Sequence, residues 1–197
     1  MQIDADILIT WGGVSKKFRK GERIFLEGDY ARFYYQILEG SVRIFNTNVD
    51  GKEFTQAEFK VGHSFGEPPL FVDEIYPSSA VASQDSIILK LSKEKFLEIL
   101  DEYPAFQKRM IVLFAKRIYS KSTTLREIIN NTPETRIIGF LNDFKKKNCK
   151  ENEKVEIPYT RQEIANYTGL RVETVIRTLS KMKTKEMVQI VERKLIY

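Results

Sequence analysis

The stretch "TRQEIANYTGLRVETVIRTLSKMK", residues 160–183, has the pattern of two helices joined by a tight turn. Thr160 and Glu163 have the spacing of a capping box, which predicts that the first helix begins at this point. A helix-turn-helix also needs a small residue where the helices approach, a glycine in the turn and a branched apolar residue between the helices. The stretch supplies these as Ala165, Gly169 and Val175.

The second helix of this stretch divides into an apolar face and a polar face. Its predicted buried stripe consists of Val172, Val175, Leu179 and Met182. Its predicted outward residues are Arg171, Glu173, Thr174, Arg177 and Lys181. Glutamate can accept a hydrogen bond from the cytosine amino group and arginine can donate two to guanine, so Glu173 and Arg177 suit base reading in the major groove. The alternative is an ion pair between these two residues on a solvated helix.

Residues around the two helices are candidates for contacts to DNA phosphates. The segment "EMVQIVERKLIY", residues 186–197, alternates like a two-stranded wing, with Arg193 and Lys194 at its turn. The first turn of the first helix also carries polar side chains. We therefore expect phosphate contacts from Thr160, Arg161, Gln162, Lys181, Arg193 and Lys194.

Charge is divided unevenly along the chain, whose formal net charge is +5. Residues 1–103 hold 12 Lys and Arg against 17 Asp and Glu, whereas residues 104–197 hold 20 against 10. A basic C-terminal part fits a polyanion such as double-stranded DNA, and a merely solvated basic surface is the alternative.

Composition excludes most enzyme classes. The chain has one cysteine, Cys149, and one histidine, His63, so it lacks the residues for a disulfide framework, a cysteine-bound iron-sulfur cluster, a His-rich metal site or a Ser-His pair. A metal-dependent roll enzyme, which normally needs several histidines, is disfavoured for the same reason. We predict no catalysis, no metal and no cofactor. No long uncharged apolar run is present and the N-terminus is acidic, which predicts a cytoplasmic protein without a membrane partner.

The sequence before about Ser92 has the pattern of β-strands. Short apolar or alternating runs are separated by Gly and Asp turns, a spacing that favours an antiparallel sandwich or roll. After Ser92 the pattern is helical, and Pro104 begins a longer predicted helix that extends to about Asn130. The predicted class is α+β, with a β-roll at 1–103, a long helix at 104–131 and a winged helix-turn-helix at 132–197.

The long helix carries two apolar faces. Phe106, Met110 and Leu113 form a set that can pack on the roll. The other set follows coiled-coil spacing, with a polar interruption at Lys121, and consists of Ile111, Phe114, Ile118, Leu125 and Ile128. This seam predicts a homodimer, and a lone helix lying on a sheet is the alternative.

The order of roll, long helix and winged helix-turn-helix resembles the Crp-Fnr family of bacterial transcription regulators. The resemblance extends over nearly the whole chain and is strongest at "GEPPLF" and "PSSAVA" in the roll and at "TRQEIANYTGLRVETVIRTL" near the C-terminus. It implies that Glu173 and Arg177 contact bases, while Arg171 and Thr174 contact the backbone or flanking bases. Val172 and Ile176 depart from residues that the family's two branches use for base reading.

The same resemblance implies an effector pocket at Gly66, Glu67, Ser78 and Ser79. In cyclic-AMP-binding members the glutamate meets the ribose and an Arg-Ser pair holds the phosphate; here Ser78 stands in the arginine's place and cannot replace a guanidinium. Pro68 and Pro69 remove backbone N–H donors and predict an extended turn at Glu67. Arg32 or Arg126 could supply the missing charge.

These observations predict a homodimeric regulator that reads an inverted repeat in DNA. The resemblance also implies RNA polymerase as a partner. The signal is predicted not to be cyclic AMP in the usual mode, which leaves a different small molecule in an altered pocket, a protein signal, or constitutive activity. Two alternatives remain: a cyclic-nucleotide-responsive regulator with a rearranged phosphate site, and a ligand-sensing module that does not bind DNA.

Overall fold

A computed structural model describes residues 3–130, 132–148, 154–191 and 194–197, and for 124–130 and 147–148 it describes the backbone alone. The chain divides into two compact units, Met1–Arg117 and Ile118–Tyr197. The division falls inside the long helix, so the first half of that helix belongs to the first unit.

The first unit is an antiparallel β-roll with helices at both ends of its sequence. Its strands are β1 (Val14–Phe18), β2 (Arg23–Phe25), β3 (Phe33–Glu39), β4 (Ser41–Thr47), β5 (Glu53–Lys60), β6 (Ser64–Phe65), β7 (Ser79–Ala82) and β8 (Ser86–Ser92). Its helices are α1 (Ala5–Thr10), α2 (Pro68–Val72), α3 (Lys93–Glu102) and the start of α4 (Pro104–Asn130). The strands form two four-stranded sheets, in the orders β1-β8-β3-β6 and β2-β7-β4-β5.

The core of the roll lies between these sheets. Alternate residues of the strands meet there, including Tyr35 and Ile37 of β3, Val42 of β4, and Phe65 and Ile88 from β6 and β8. The chain passes from β3 to β4 through Gly40, which has φ +86°, and a Cβ at this position would lie 2.6 Å from the Asp85 carbonyl oxygen. A glycine is therefore required where the chain leaves β3 of one sheet and enters β4 of the other, close to the start of β8.

Helices cover the outer face of the β1-β8-β3-β6 sheet. Helix α3 begins at its predicted cap, where the Ser92 side chain accepts a hydrogen bond from the Lys95 N–H. Helix α4 spans the predicted segment, and its residues Phe106 and Met110 are buried against the same core as α1 and α3. Leu113 is partly buried there, as predicted for the roll-facing set of the long helix.

The turn at Glu67 differs from the sequence-based prediction. Glu67 is helical rather than extended, with φ −74° and ψ −38°, and caps α2, whose first two residues are Pro68 and Pro69. A proline at the start of a helix loses no hydrogen bond, since the first N–H groups have no intrahelical acceptor. The Leu70 N–H donates to the Glu67 carbonyl over 2.9 Å, and Leu70 is fully buried. Burial of this leucine stabilises a conformation that prolines alone disfavour.

The second unit is a winged helix-turn-helix. Beyond the end of α4 its elements are α5 (Pro133–Asn148), β9 (Glu156–Ile157), α6 (Arg161–Thr168), α7 (Val172–Thr184), β10 (Gln189–Val191) and β11 (Lys194–Ile196). The predicted wing is present as β10 and β11, and β9 adds a third strand in the order β10-β11-β9. Among the described residues no helix is long and apolar enough to cross a membrane.

Candidate nucleic-acid interface and effector pocket

The helix-turn-helix has the local structure that its sequence predicts. Thr160 and Glu163 form a reciprocal capping box at the start of α6. Gly169 ends this helix in the left-handed conformation, with φ +65°. Ala165 and Val175 are fully buried in the core of the unit. These contacts fix the angle between α6 and α7 and leave one side of α7 uncovered within the unit.

Helix α7 is sharply divided into a buried and an exposed side. Val175, Leu179 and Met182 are at most 1% exposed, and Val172 is partly buried beside them. The exposed residues on the opposite side are Glu173, Ile176, Arg177, Ser180 and Lys181, and Arg171 at the N-cap is exposed as well. An exposed polar face on the second helix of this motif is the surface that enters a major groove.

Thr174 is a correction to the predicted outward set. It is half-buried, because it lies on the side of α7 that leads to Thr178, one turn later, and Thr178 is only 8% exposed.

Glu173 and Arg177 do not form the ion pair that was the alternative interpretation. No salt bridge joins them in the part of the chain that the structure describes. Both side chains are exposed. Their hydrogen-bonding groups are consequently available to an external partner, which is the arrangement that base reading requires.

The residues predicted to contact phosphates have different surroundings. At the start of α6, Arg161 is half-buried, and partial burial lowers its pKa. Gln162 Nε2 donates to Asn166 Oδ1 over 2.9 Å, so this side chain is held along the helix. Thr160, Lys181 and Lys194 are exposed, and Lys194 also makes an exposed 3.0 Å ion pair with Glu156. Arg193 lies outside the described residues.

Within the first unit, Glu67 is enclosed and paired with an arginine. Its side chain is fully buried, and its Oε2 accepts a hydrogen bond from Arg117 Nη1 of α4 over 2.7 Å. Arg117 Nη2 donates to the Ser64 carbonyl oxygen, and its guanidinium lies 4.7 Å from the centre of the Phe59 ring. Glu67 Oε1 and Ser64 Oγ are buried without a hydrogen-bond partner among the described residues. The carboxylate is thus neutralised inside the protein but not fully hydrogen-bonded.

A separate series of buried hydrogen bonds near this pair leads from Tyr34 to Ile3. The Tyr34 hydroxyl has a pKa raised by burial and by the Glu67 carboxylate, and it donates to Gln36 Oε1 over 2.8 Å. Gln36, fully buried, donates to the Ile3 carbonyl and accepts from the Ile3 N–H. Residue 3 is therefore fixed to the core of the roll by two hydrogen bonds.

Gly66, Ser78 and Ser79 complete the predicted effector pocket, and with Glu67 we call these residues the frame. In the described part of the chain no ion pair or hydrogen bond joins these three residues to a basic side chain. Ser78 and Ser79 are buried, and Ser79 Oγ accepts a hydrogen bond from the Glu27 N–H over 3.0 Å. Gly66 has φ +75°, and a Cβ there would lie 3.0 Å from Phe25. Arg32, one candidate for the missing charge, lines a separate cavity of 390 Å³ whose walls include Tyr35 and Tyr76 but not the frame residues. The side chain of Arg126, the other candidate, lies outside the described residues.

The predicted dimer seam is partly exposed. Ile111 and Ile118 are 67% and 65% exposed. Phe114 is partly buried and makes an edge-to-face contact with Phe71 of α2, so this ring faces the roll. The side chains of Leu125 and Ile128 lie outside those that the structure describes.

Comparison with known sequences matches both units to described domain families. The sequence model of the cyclic nucleotide-binding domain matches residues 15–103, and that of the Crp-like helix-turn-helix domain matches residues 135–197. The chain belongs to the Crp-Fnr family of bacterial transcription regulators. The resemblance identified from the sequence is thereby confirmed, and so are the fold class and the assignment to transcription regulators.

Relatives from both branches of the Crp-Fnr family are similar to this chain. The cyclic AMP receptor protein of Thermus thermophilus is 33% identical over 101 residues, which cover 51% of this chain and 47% of that protein. The fumarate and nitrate reduction regulatory protein of Vibrio cholerae is 25% identical over 179 residues, covering 89% and 71%. The matched relatives are transcription regulators, not enzymes.

Solved structures of other Crp-Fnr regulators share the fold. The c-di-GMP-responsive global regulator CLP of Xanthomonas campestris superposes with a TM-score of 0.86 at 20% identity, covering 98% of both chains. FixK2 of Bradyrhizobium japonicum gives a TM-score of 0.77 at 21% identity, with coverage of 93% of this chain and 91% of that one. These likenesses establish the architecture and carry no information about the ligand of this chain.

Two residues of the site were not found from the sequence. Arg117 continues the roll-facing stripe of α4, because it follows Met110 by seven residues and Leu113 by four, and this pattern could have placed it against the roll. The sequence shows that Ile176 departs from the family, but it does not show that this side chain is exposed on α7.

Proposed function

We propose that this Crp-Fnr regulator is a homodimer that binds an inverted repeat in double-stranded DNA sequence-specifically. The observation that carries the proposal is the exposed polar side of α7, on which the side chains of Glu173 and Arg177 form no ion pair with each other. A two-fold dimer presents two such helices, which suit half-sites about one helical turn apart, ~34–36 Å between centres.

Selection of bound fragments from random DNA tests this function. The purified full-length chain is incubated with a randomised duplex library, and retained fragments are sequenced over several rounds. We expect enrichment of one sequence with two inverted half-sites. A matched selection with Glu173→Ala/Arg177→Ala should lose this enrichment while retaining weak, salt-sensitive binding. Retention of no sequence above the library background by the unaltered chain would instead favour a ligand-sensing module that does not bind DNA.

The roll supports a signal other than cyclic AMP bound in the usual mode. Ser78 stands where a guanidinium would be needed, and Ser79 Oγ already accepts a hydrogen bond from the Glu27 N–H. The Glu67 carboxylate, the candidate ribose contact, is held by Arg117 over 2.7 Å. A cyclic phosphate would enter this frame without a charge-assisted partner at either serine.

A second candidate is a cyclic-nucleotide-responsive regulator with a rearranged phosphate site. Arg117 favours it, because this guanidinium lies inside the frame and could turn from Glu67 to a phosphate. Titration calorimetry with cyclic AMP separates the two candidates. We expect no binding heat at millimolar nucleotide. A micromolar Kd that is lost in Arg117→Ala, with circular dichroism showing that the variant is still folded, would establish the second candidate and overturn the first.

The regulatory step that we propose is a shift between two dimer arrangements. A signal bound better by the roll in one arrangement would change the relative placement of the two recognition helices, and hence the affinity for the operator. RNA polymerase is the proposed partner at the promoter.

A further inference from the structure

The exposed side of α7 contains one large apolar residue among polar ones. Ile176 is 53% exposed and does not pack on the core of its unit. It follows Glu173 by three residues and precedes Ser180 by four, so these side chains are neighbours on the helix surface, with Arg177 beside them. The four residues therefore form one continuous exposed surface, which we call the reading face.

An apolar group on the reading face has a limited choice of partners in DNA. Phosphates are charged, and the edges of guanine, adenine and cytosine in the major groove offer mainly hydrogen-bond donors and acceptors. Thymine alone presents a methyl group there. An aliphatic side chain that is inserted beside the base edges is matched by that methyl group and by no other standard base.

Ile176 is also stiff enough to act at a fixed position. A β-branched side chain in a helix has one strongly preferred χ1 rotamer, so little conformational entropy is lost when it meets a partner. The helix that carries it is anchored by the fully buried Val175 and Met182 and by Leu179, which is 1% exposed. The γ-branches of Ile176 are thus held by the backbone of α7, as a specificity contact requires.

We propose that Ile176 is a specificity-determining residue that recognises the 5-methyl group of a thymine next to the bases read by Glu173 and Arg177. This inference rests on the proposed DNA-binding function and adds to it a base identity that hydrogen bonding alone does not specify.

Replacement of thymine by deoxyuridine tests the inference, since it removes the methyl group and leaves the hydrogen-bonding edge unchanged. The operator obtained by selection is synthesised with each thymine of one half-site replaced in turn and with the symmetry-related base replaced in the same duplex. Affinity for the unaltered chain should fall about 3- to 5-fold per methyl group lost at one position, from the free energy of burying one methyl group. Replacements at the other positions should have little effect.

The variant Ile176→Ala identifies the residue that makes the contact. It should bind the thymine operator less tightly than the unaltered chain, and the loss on deoxyuridine replacement should disappear. Because Ile176 is exposed and alanine is a better helix former, the variant is expected to fold, which a thermal melt verifies. Val191→Ala, at another exposed β-branched residue of the same unit that is 51% exposed, is the matched control and should keep the full thymine preference.

The outcomes distinguish failure of this inference from failure of the proposed DNA-binding function on which it rests. Specific binding with an equal deoxyuridine effect in the unaltered chain and in Ile176→Ala overturns the inference and leaves the proposed function intact. A selected operator without a fixed thymine in the half-site does the same. Absence of any specific binding overturns both.

Discussion

Arg177 and Glu173 are separated by one turn of α7, and each can form hydrogen bonds with a different base pair. The arginine presents a planar fork that fits the O6 and N7 atoms of guanine, whereas the glutamate can accept a hydrogen bond from a cytosine amino group. Because both are exposed and belong to a helix with a buried opposite side, substitutions here change recognition without disturbing the core.

Arg177→Ala should weaken binding to the selected operator by about 1–3 kcal/mol and should relax the preference at one base pair in each half-site. The physical reason is the loss of a bidentate hydrogen bond to a base edge. Competition binding against operators with single base changes measures this effect. Lys183→Ala, at another exposed basic residue of α7, is the control and should lower affinity by the same factor for every sequence. A uniform loss in Arg177→Ala would contradict base reading.

Arg117→Leu should lower the free energy of unfolding by about 3–5 kcal/mol, because it leaves the buried Glu67 carboxylate without a positive partner. Urea denaturation followed by circular dichroism measures the change. Lys95→Ala, which breaks the half-exposed pair with Glu98, is the control and should cost less than about 1 kcal/mol. Adding Glu67→Leu to Arg117→Leu should recover part of the loss. A cost for Arg117→Leu no larger than the control's would mean that water reaches the carboxylate.

At the scale of elements, the sequence predicts the start of a helix correctly where that start depends on side chains close to it in the chain. The caps at Ser92 and Thr160 and the start of α4 at Pro104 agree with the predictions, because each depends on side chains within a few residues. The helical turn at Glu67 was predicted wrongly, since burial of Leu70 outweighs the local preference of prolines.

Pairing between distant segments could not be predicted in this way. Strand β9 has two residues, too few for a periodic pattern, and forms because it pairs with β11 along the chain's C-terminus. The contact of Arg117 with Glu67 likewise joins residues 50 positions apart. A sequence can indicate which face such residues occupy, but the partner follows from the packed fold.

Gly169→Ala should destabilise the second unit by roughly 1–2 kcal/mol, because a Cβ is unfavourable at φ +65° in the turn between α6 and α7. Chemical denaturation of the full chain measures this cost. Gly169→Asn is the matched variant at the same position, and it should cost less because asparagine tolerates the left-handed conformation. Equal costs for the two variants would contradict an origin in backbone strain.

At the scale of the whole molecule, charge and apolar surface are distributed for different partners. The segment 104–197 has twice as many basic as acidic residues, whereas the acidic residues predominate in 1–103. Electrostatic attraction to DNA therefore originates in the C-terminal part of the chain. By contrast, the exposed Ile111 and Ile118 on α4 are apolar and do not attract a polyanion. They favour association with a second copy of the chain.

Ile118→Glu should convert the chain from a dimer to a monomer, because Ile118 is 65% exposed on α4 and a charge at the seam would have to be buried against the same residue of the second copy. Sedimentation velocity at micromolar concentration measures the change. Val14→Glu, at another 65% exposed apolar residue, in β1, is the matched control and should leave the dimer intact. The monomer should also bind the inverted repeat much more weakly than the dimer and no better than a single half-site, since the second contact is no longer intramolecular. Sedimentation of the unaltered chain as a monomer would contradict the seam.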